Sequence, residues 1–130
     1  MPTGRQGAEP KFRNKLLHVD GLGSEMESGT CSSSAVTING YIGTITTESL
    51  TTAQNAVVTI TLTNNKIAAG DLVFCTLSNG SNTQGTPMLG VVTPAAGSCV
   101  IKLANKHASA EALNGTLKIG FMVVKAVSGL

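Results

Sequence analysis

Charge is scarce in this chain. Asp, Glu, Lys and Arg make up 12% of its 130 residues, about half of the ~25% usual for soluble domains. Soluble monomers keep charged surfaces, so the shortfall needs a reason, and one reason is that partners cover much of this one. The net charge of +2 is too small to draw nucleic acid through the protein's overall field. Aromatic residues are scarcer still, at 3% with no Trp. That argues against a stacking platform for single-stranded nucleic acid and against the aromatic beds common in sugar sites. The three cysteines, Cys31, Cys75 and Cys99, form no Cys-x-x-Cys pair, so neither a zinc cage nor a redox motif is suggested. They read as three reduced thiols; a Cys75–Cys99 disulfide would require neighbouring strands of suitable geometry. No apolar run reaches the ~18–20 residues of a membrane helix. No apolar signal-like segment stands at the N-terminus, so the expectation is a chain made and folded in a cytoplasm, with no membrane partner.

Signals for chemistry are equally thin. The acids after residue 33 are only Glu48, Asp71 and Glu111. They lack metal-loop spacing and give no sign of the convergence that a paired-carboxylate hydrolase needs. His18 and His107 are the only histidines. Ser109 and Glu111 follow His107 closely, but proximity along a loop is not triad geometry; His107 reads as a surface or turn-capping residue. The glycine-rich stretches lack a strand–Gly-x-Gly-x-x-Gly–helix context and any Gly-Lys-Ser/Thr, so phosphate cradling is not indicated. Asn79-Gly-Ser81 and Asn114-Gly-Thr116 match the glycosylation sequon and are better read as turns. The expectation is a protein that is no enzyme and takes no cofactor and no metal.

What is present divides at about residue 33. Residues 1–33 are polar and non-periodic, with basic residues (Arg5, Lys11, Arg13, Lys15) ahead of most of the acids. Such a stretch cannot bury enough apolar area to order itself; it reads as an extended N-terminal arm, with Ser32-Ser-Ser34 as its boundary. An arm of about thirty residues spans on the order of 100 Å when extended. Residues 34–130 read as a β-body. Residues 31–130 hold 14 Thr and 8 Asn, a composition for strands and turns.

Strand patterns follow one another along the body. Residues 35–47 form one, with a turn signal at Asn39-Gly40. Residues 54–63 alternate, with Val58, Ile60 and Leu62 on one side. Residues 71–78 set Leu72 and Phe74 against Val73, Cys75 and Leu77. Residues 79–85 are a polar loop, and 88–93 a short strand stopped by Pro94. Residues 98–104 turn Cys99, Ile101 and Leu103 inward. Residues 107–113 favour one helical turn. Residues 116–126 put Leu117, Ile119, Phe121 and Val123 on one face. The whole predicts an all-β fold: a single antiparallel β-sandwich or barrel-like domain with an extended N-terminal arm. Two strands are apolar on both faces (73–77 and 121–124), which predicts a second buried surface such as a subunit interface.

Four segments carry a resemblance. They are Gly43-Thr-Ile-Thr-Thr-Glu-Ser-Leu-Thr-Thr52, Val57-Val-Thr-Ile-Thr-Leu-Thr-Asn64, Val91-Val-Thr-Pro-Ala-Ala-Gly-Ser98 and the run from Asn105 through Asn114-Gly-Thr116 to Phe121. Over roughly residues 35–126 the chain resembles small β-domains of tailed-bacteriophage virion proteins, most of all capsid cement (decoration) proteins. The resemblance implies a structural role on the capsid surface, with the major capsid protein as partner and a homo-oligomer, a trimer in particular, as the working form. It carries over no catalytic residue. The arm residues Arg5, Lys11, Phe12, Arg13, Lys15, Leu16 and Leu17 are the expected capsid contacts, chosen for charge and hydrophobicity. The competing expectation is a fibre or tail domain that binds a host-surface receptor through Ser81, Asn82, Thr83 and Gln84.

Overall fold

The structure, a computed structural model, describes residues 26–126. Among them eight strands form two four-stranded sheets packed face to face, and there is no helix. The strands are β1 (Glu27–Thr30), β2 (Ala35–Thr37), β3 (Ile42–Thr46), β4 (Val57–Thr63), β5 (Leu72–Asn79), β6 (Pro87–Ala95), β7 (Ser98–Asn105) and β8 (Leu117–Val124). The first sheet runs β1-β3-β8-β5 and the second β2-β4-β7-β6. The all-β sandwich expected from the strand patterns is the observed fold.

Two-residue alternation builds the core. Ile45, Leu117, Ile119, Phe121 and Val123 point inward from the first sheet, and Ile60, Leu62, Cys99, Ile101 and Leu103 from the second. Cys31, Ile38, Leu50, Ile67 and Leu113 close the ends from the connections. Gly43 makes room for the largest of these side chains: a Cβ there would lie 2.6 Å from the Phe121 ring.

The sheets are mixed rather than purely antiparallel. β1 pairs with β3, and β2 with β4, in parallel; the other pairs are antiparallel. The reason lies in two corners where the chain changes sheet. Ser32-Ser-Ser34, expected to end the arm, is the corner between β1 and β2. Ser33 and Ser34 adopt left-handed φ of 53° and 61°, and the Ser34 N–H donates to Glu48 Oε1 at 2.9 Å. β1 therefore lies on the arm side of the expected boundary, yet is a strand of the body. Asn39-Gly40 is the second corner and not a hairpin. Buried Asn64 clamps it, accepting from the Gly40 N–H at 3.2 Å and donating to the Gly40 carbonyl at 2.7 Å.

Two further expectations are corrected. β6 continues through Pro94 to Ala95, which is tolerated because β6 is an edge strand with no ladder bond to lose on its open side. Residues 107–113 form no helical turn, because buried Asn105 holds the loop in another shape. Its Oδ1 accepts from the N–H of Thr86 (3.0 Å) and His107 (3.2 Å), and its Nδ2 donates to the carbonyls of Thr52 (3.0 Å) and Glu111 (2.7 Å). That fulfils the hydrogen-bonding capacity of the amide and overrides the helical preference of Ala and Glu.

Candidate interaction surface

The outward face of the first sheet is apolar at one end. Register places Leu72 beside Val124, and Phe74 beside Met122, which pairs on its other side with Ile42. Leu72 and Phe74 are more than half exposed, at 58% and 55%, and Met122 and Val124 at 36% and 40%. Strand geometry forces this: Val73, Cys75 and Leu77 on β5, and Phe121 and Val123 on β8, take the inward positions, so their neighbours must face out. The two-faced apolar pattern of the sequence therefore corresponds to a surface that no described residue covers.

Glycine shapes this face. Gly120 sits between Thr44 and Thr76 in the same row, where a Cβ would meet Thr76 Oγ1 at 2.8 Å. The missing side chain leaves a shallow groove of about 250 Å³, with Phe74, Met122, Ile42 and Met26 as its apolar walls. The next row is polar: Lys118 lies between Thr46 and Ser78 and donates to Thr46 Oγ1 at 3.3 Å. The face thus carries an apolar groove at one end and a hydroxyl-and-ammonium row at the other.

The seven expected contact residues, Arg5, Lys11, Phe12, Arg13, Lys15, Leu16 and Leu17, lie outside the described residues. The sequence pattern singles out residues 73–77 and 121–124. It missed Met26 and Ile42 as walls of the same groove; Met26 was counted with the arm, and only the β1–β3 pairing brings it onto this face.

The Asn79–Gly85 loop bonds within itself and to the Asn114–Thr116 segment. Asn82 Nδ2 donates to Asn79 Oδ1 and to the Gln84 carbonyl, and its Oδ1 accepts from the Asn114 N–H. Asn114 binds the N–H and hydroxyl of Thr83, and the Ser81 hydroxyl accepts from the Thr116 N–H. Asn82 is therefore buried within this network, while Ser81, Thr83 and Gln84 are exposed.

His107 holds a turn. Its Nδ1 lies 3.2 Å from both the Ser109 N–H and the Ser109 carbonyl oxygen, and Nε2 lies 2.8 Å from Glu111 Oε1. The Ser109 hydroxyl lies 3.3 Å from the same nitrogen. Among the described residues no group of His, Cys, Asp and Glu is arranged to hold a metal ion, and no helix is long and apolar enough to cross a membrane. All three cysteines are free thiols; Cys75 and Cys99 stand on strands of opposite sheets. Burial pushes the Cys31 thiol up to about 11 and the Cys75 thiol to about 12, so both are protonated at neutral pH.

Comparison with protein families, with curated proteins and with solved structures finds no match to this chain.

Proposed function

We propose that this protein is a structural virion component that binds the outside of a phage capsid, bridges subunits of the major capsid protein and stabilises the shell. The observation that carries its interaction role is the outward face of the first sheet, where Leu72, Phe74, Met122 and Val124 stand exposed around a groove. Contiguous exposed apolar patches on such a domain mark interaction sites. The capsid as the surface it meets rests on the resemblance of residues 35–126 to phage decoration domains. The low charge supports the same reading, because a face rich in Thr, Ser and Asn is desolvated against a partner at less cost than a charged one.

In this reading the groove docks the body. The arm residues Arg5, Lys11, Phe12, Arg13, Lys15, Leu16 and Leu17 add a second contact, which raises the effective concentration of the body at its site. The protein acts as a homo-oligomer on the capsid surface, without cofactor or catalysis. No specific observation favours the receptor-binding alternative: in the loop that would serve it, Asn82 and Thr83 are bonded to Gln84 and Asn114.

Cosedimentation with shells stripped of the protein tests the proposal. Intact protein is expected to rebind stoichiometrically and restore resistance to heat. A Phe74→Asp, Met122→Lys variant and a chain lacking residues 1–25 are each expected to bind more weakly. Absence of binding by the intact chain, or full binding by both variants, would refute it.

A further inference from the structure

The sandwich has two flanks, and among the described residues one is left open. On the flank formed by β1 and β2, Cys31 and Ile38 are buried. On the other, β5 lies near β6 across the sandwich without pairing with it. There the inward side chains Val73, Cys75, Leu77, Leu89 and Val92 pack against the core but remain only half buried. Neither edge strand contains a charged residue: β5 reads LVFCTLSN and β6 reads PMLGVVTPA.

Sheet edges recruit other strands unless something blunts them; short strands, charges, prolines and bulges are the usual means. Of the four described edges, three carry such a device. β1 has four residues and includes Glu27, and β2 has three. β6 has Pro87 and Pro94, which offer no N–H, and a bulge where Gly90 and Val91 interrupt its register with β7. β5 has eight residues and none of these features.

The main-chain groups that β5 presents follow from the ladder. The Val123 N–H donates to the Tyr41 carbonyl and the Thr47 N–H to the Leu117 carbonyl, so the odd-numbered residues of β8 bond to β3. The even-numbered ones must then bond to β5, and register pairs them with Leu72, Phe74, Thr76 and Ser78. The N–H and C=O groups of Val73, Cys75 and Leu77 consequently point away from the sheet.

We infer that β5 pairs with β5 of a second copy of this chain, antiparallel about a two-fold axis, to give one continuous eight-stranded sheet. Two observations favour a second copy. Its β5 edge is equally neutral, so the pairing sets no charge of one copy's β5 against a charge of the other's. Its alternation is the same, so Val73, Cys75 and Leu77 meet their counterparts on the inner face while Phe74 and Thr76 meet theirs on the outer. Of the ends of the described chain, Met26 enters at β1 on the opposite side, and Ala126 leaves beside Asp71, at the start of β5. A two-fold pairing is self-complementary and takes the place of the three-fold arrangement that the resemblance implies. It concerns the free protein and does not depend on the shell.

The test is sedimentation equilibrium of the full chain across a wide concentration range, with residue-resolved amide exchange on the same samples. A dimer is expected, with the Val73, Cys75 and Leu77 amides exchanging about a hundredfold more slowly in it than on dilution to monomer. Thr76→Lys is expected to abolish the dimer with an unchanged circular dichroism spectrum. Thr44→Lys, on the same face but away from the edge, is expected to retain it. A monomer at all concentrations, a trimer, or a dimer insensitive to Thr76→Lys would overturn the inference. So would protection of these three amides in the monomer, since the chain's own residues would then cover the edge.

Discussion

Replacing Asn105 by Ala is expected to be among the most destabilising single changes outside the apolar core. The side chain is fully buried and makes four hydrogen bonds, all to main-chain groups, at 2.7–3.2 Å. Together they tie residues 52, 86, 107 and 111 to the end of β7. Alanine would leave two N–H and two C=O groups without that partner. At about 1 kcal/mol for each lost bond the total is about 4 kcal/mol. Water entering the vacated space returns part of this, so the expected loss is about 3 kcal/mol, a large share of the ~5–15 kcal/mol that stabilises a typical domain. In urea denaturation, a slope near ~2 kcal/mol/M converts this to a midpoint about 1.5 M lower. Asn105→Asp is expected to do no better than Ala, because it sets a carboxylate oxygen against the Thr52 and Glu111 carbonyls. Asn114→Ala, on an exposed side chain with fewer bonds, is expected to cost about 1 kcal/mol or less. A loss below about 1 kcal/mol for Asn105→Ala would refute the reasoning and mean that the loop is held mainly by Leu113 and the main-chain bonds. Asn105 is not among the groove walls, so at a temperature where the variant is folded its affinity for shells is expected to be unchanged.

Two further outcomes concern titration. The Lys125 ammonium, followed by the N–H groups of Ala126 and Ala68, holds the Asp71 carboxyl at about 2, below the ordinary 3.8. Its folded value lies below its unfolded one, so the stability that ionised Asp71 contributes is present above about pH 4 and lost as pH falls toward 2. Asp71→Asn is expected to flatten the melting temperature between pH 4 and 2; an equally steep fall in the variant would assign the acid sensitivity to other groups. The thiols of Cys31 and Cys75, pushed up to about 11 and about 12 by burial, hold no more than about one thiolate in a thousand at pH 8. A thiol-reactive probe at that pH is expected to label the folded protein slowly and the urea-unfolded protein fully at all three cysteines; rapid labelling of the folded form would contradict the burial described.

The sequence determined the elements that depend on period two. Val58, Ile60 and Leu62, then Cys99, Ile101 and Leu103, then Leu117, Ile119, Phe121 and Val123 alternate strictly, and the strands and inward faces they predict are the observed ones. That Leu72 and Phe74 share one face followed from the same alternation; that this face is the outward one did not. Strand partners were not legible. Asn39-Gly40 has the composition of a hairpin turn, and only Asn64, 24 residues later, makes it a corner between sheets. Asn105 overrode a local helical preference in the same way, through carbonyls 53 residues before it and 6 after it. The groove needed β1, β3, β8 and β5 side by side before Met26, Ile42, Phe74 and Met122 shared one face. Alternation is a property of neighbouring residues and is written into the chain. Which strand becomes an unprotected edge, and which apolar face is left uncovered, depends on contacts between residues distant in sequence, so only the tertiary structure decided them.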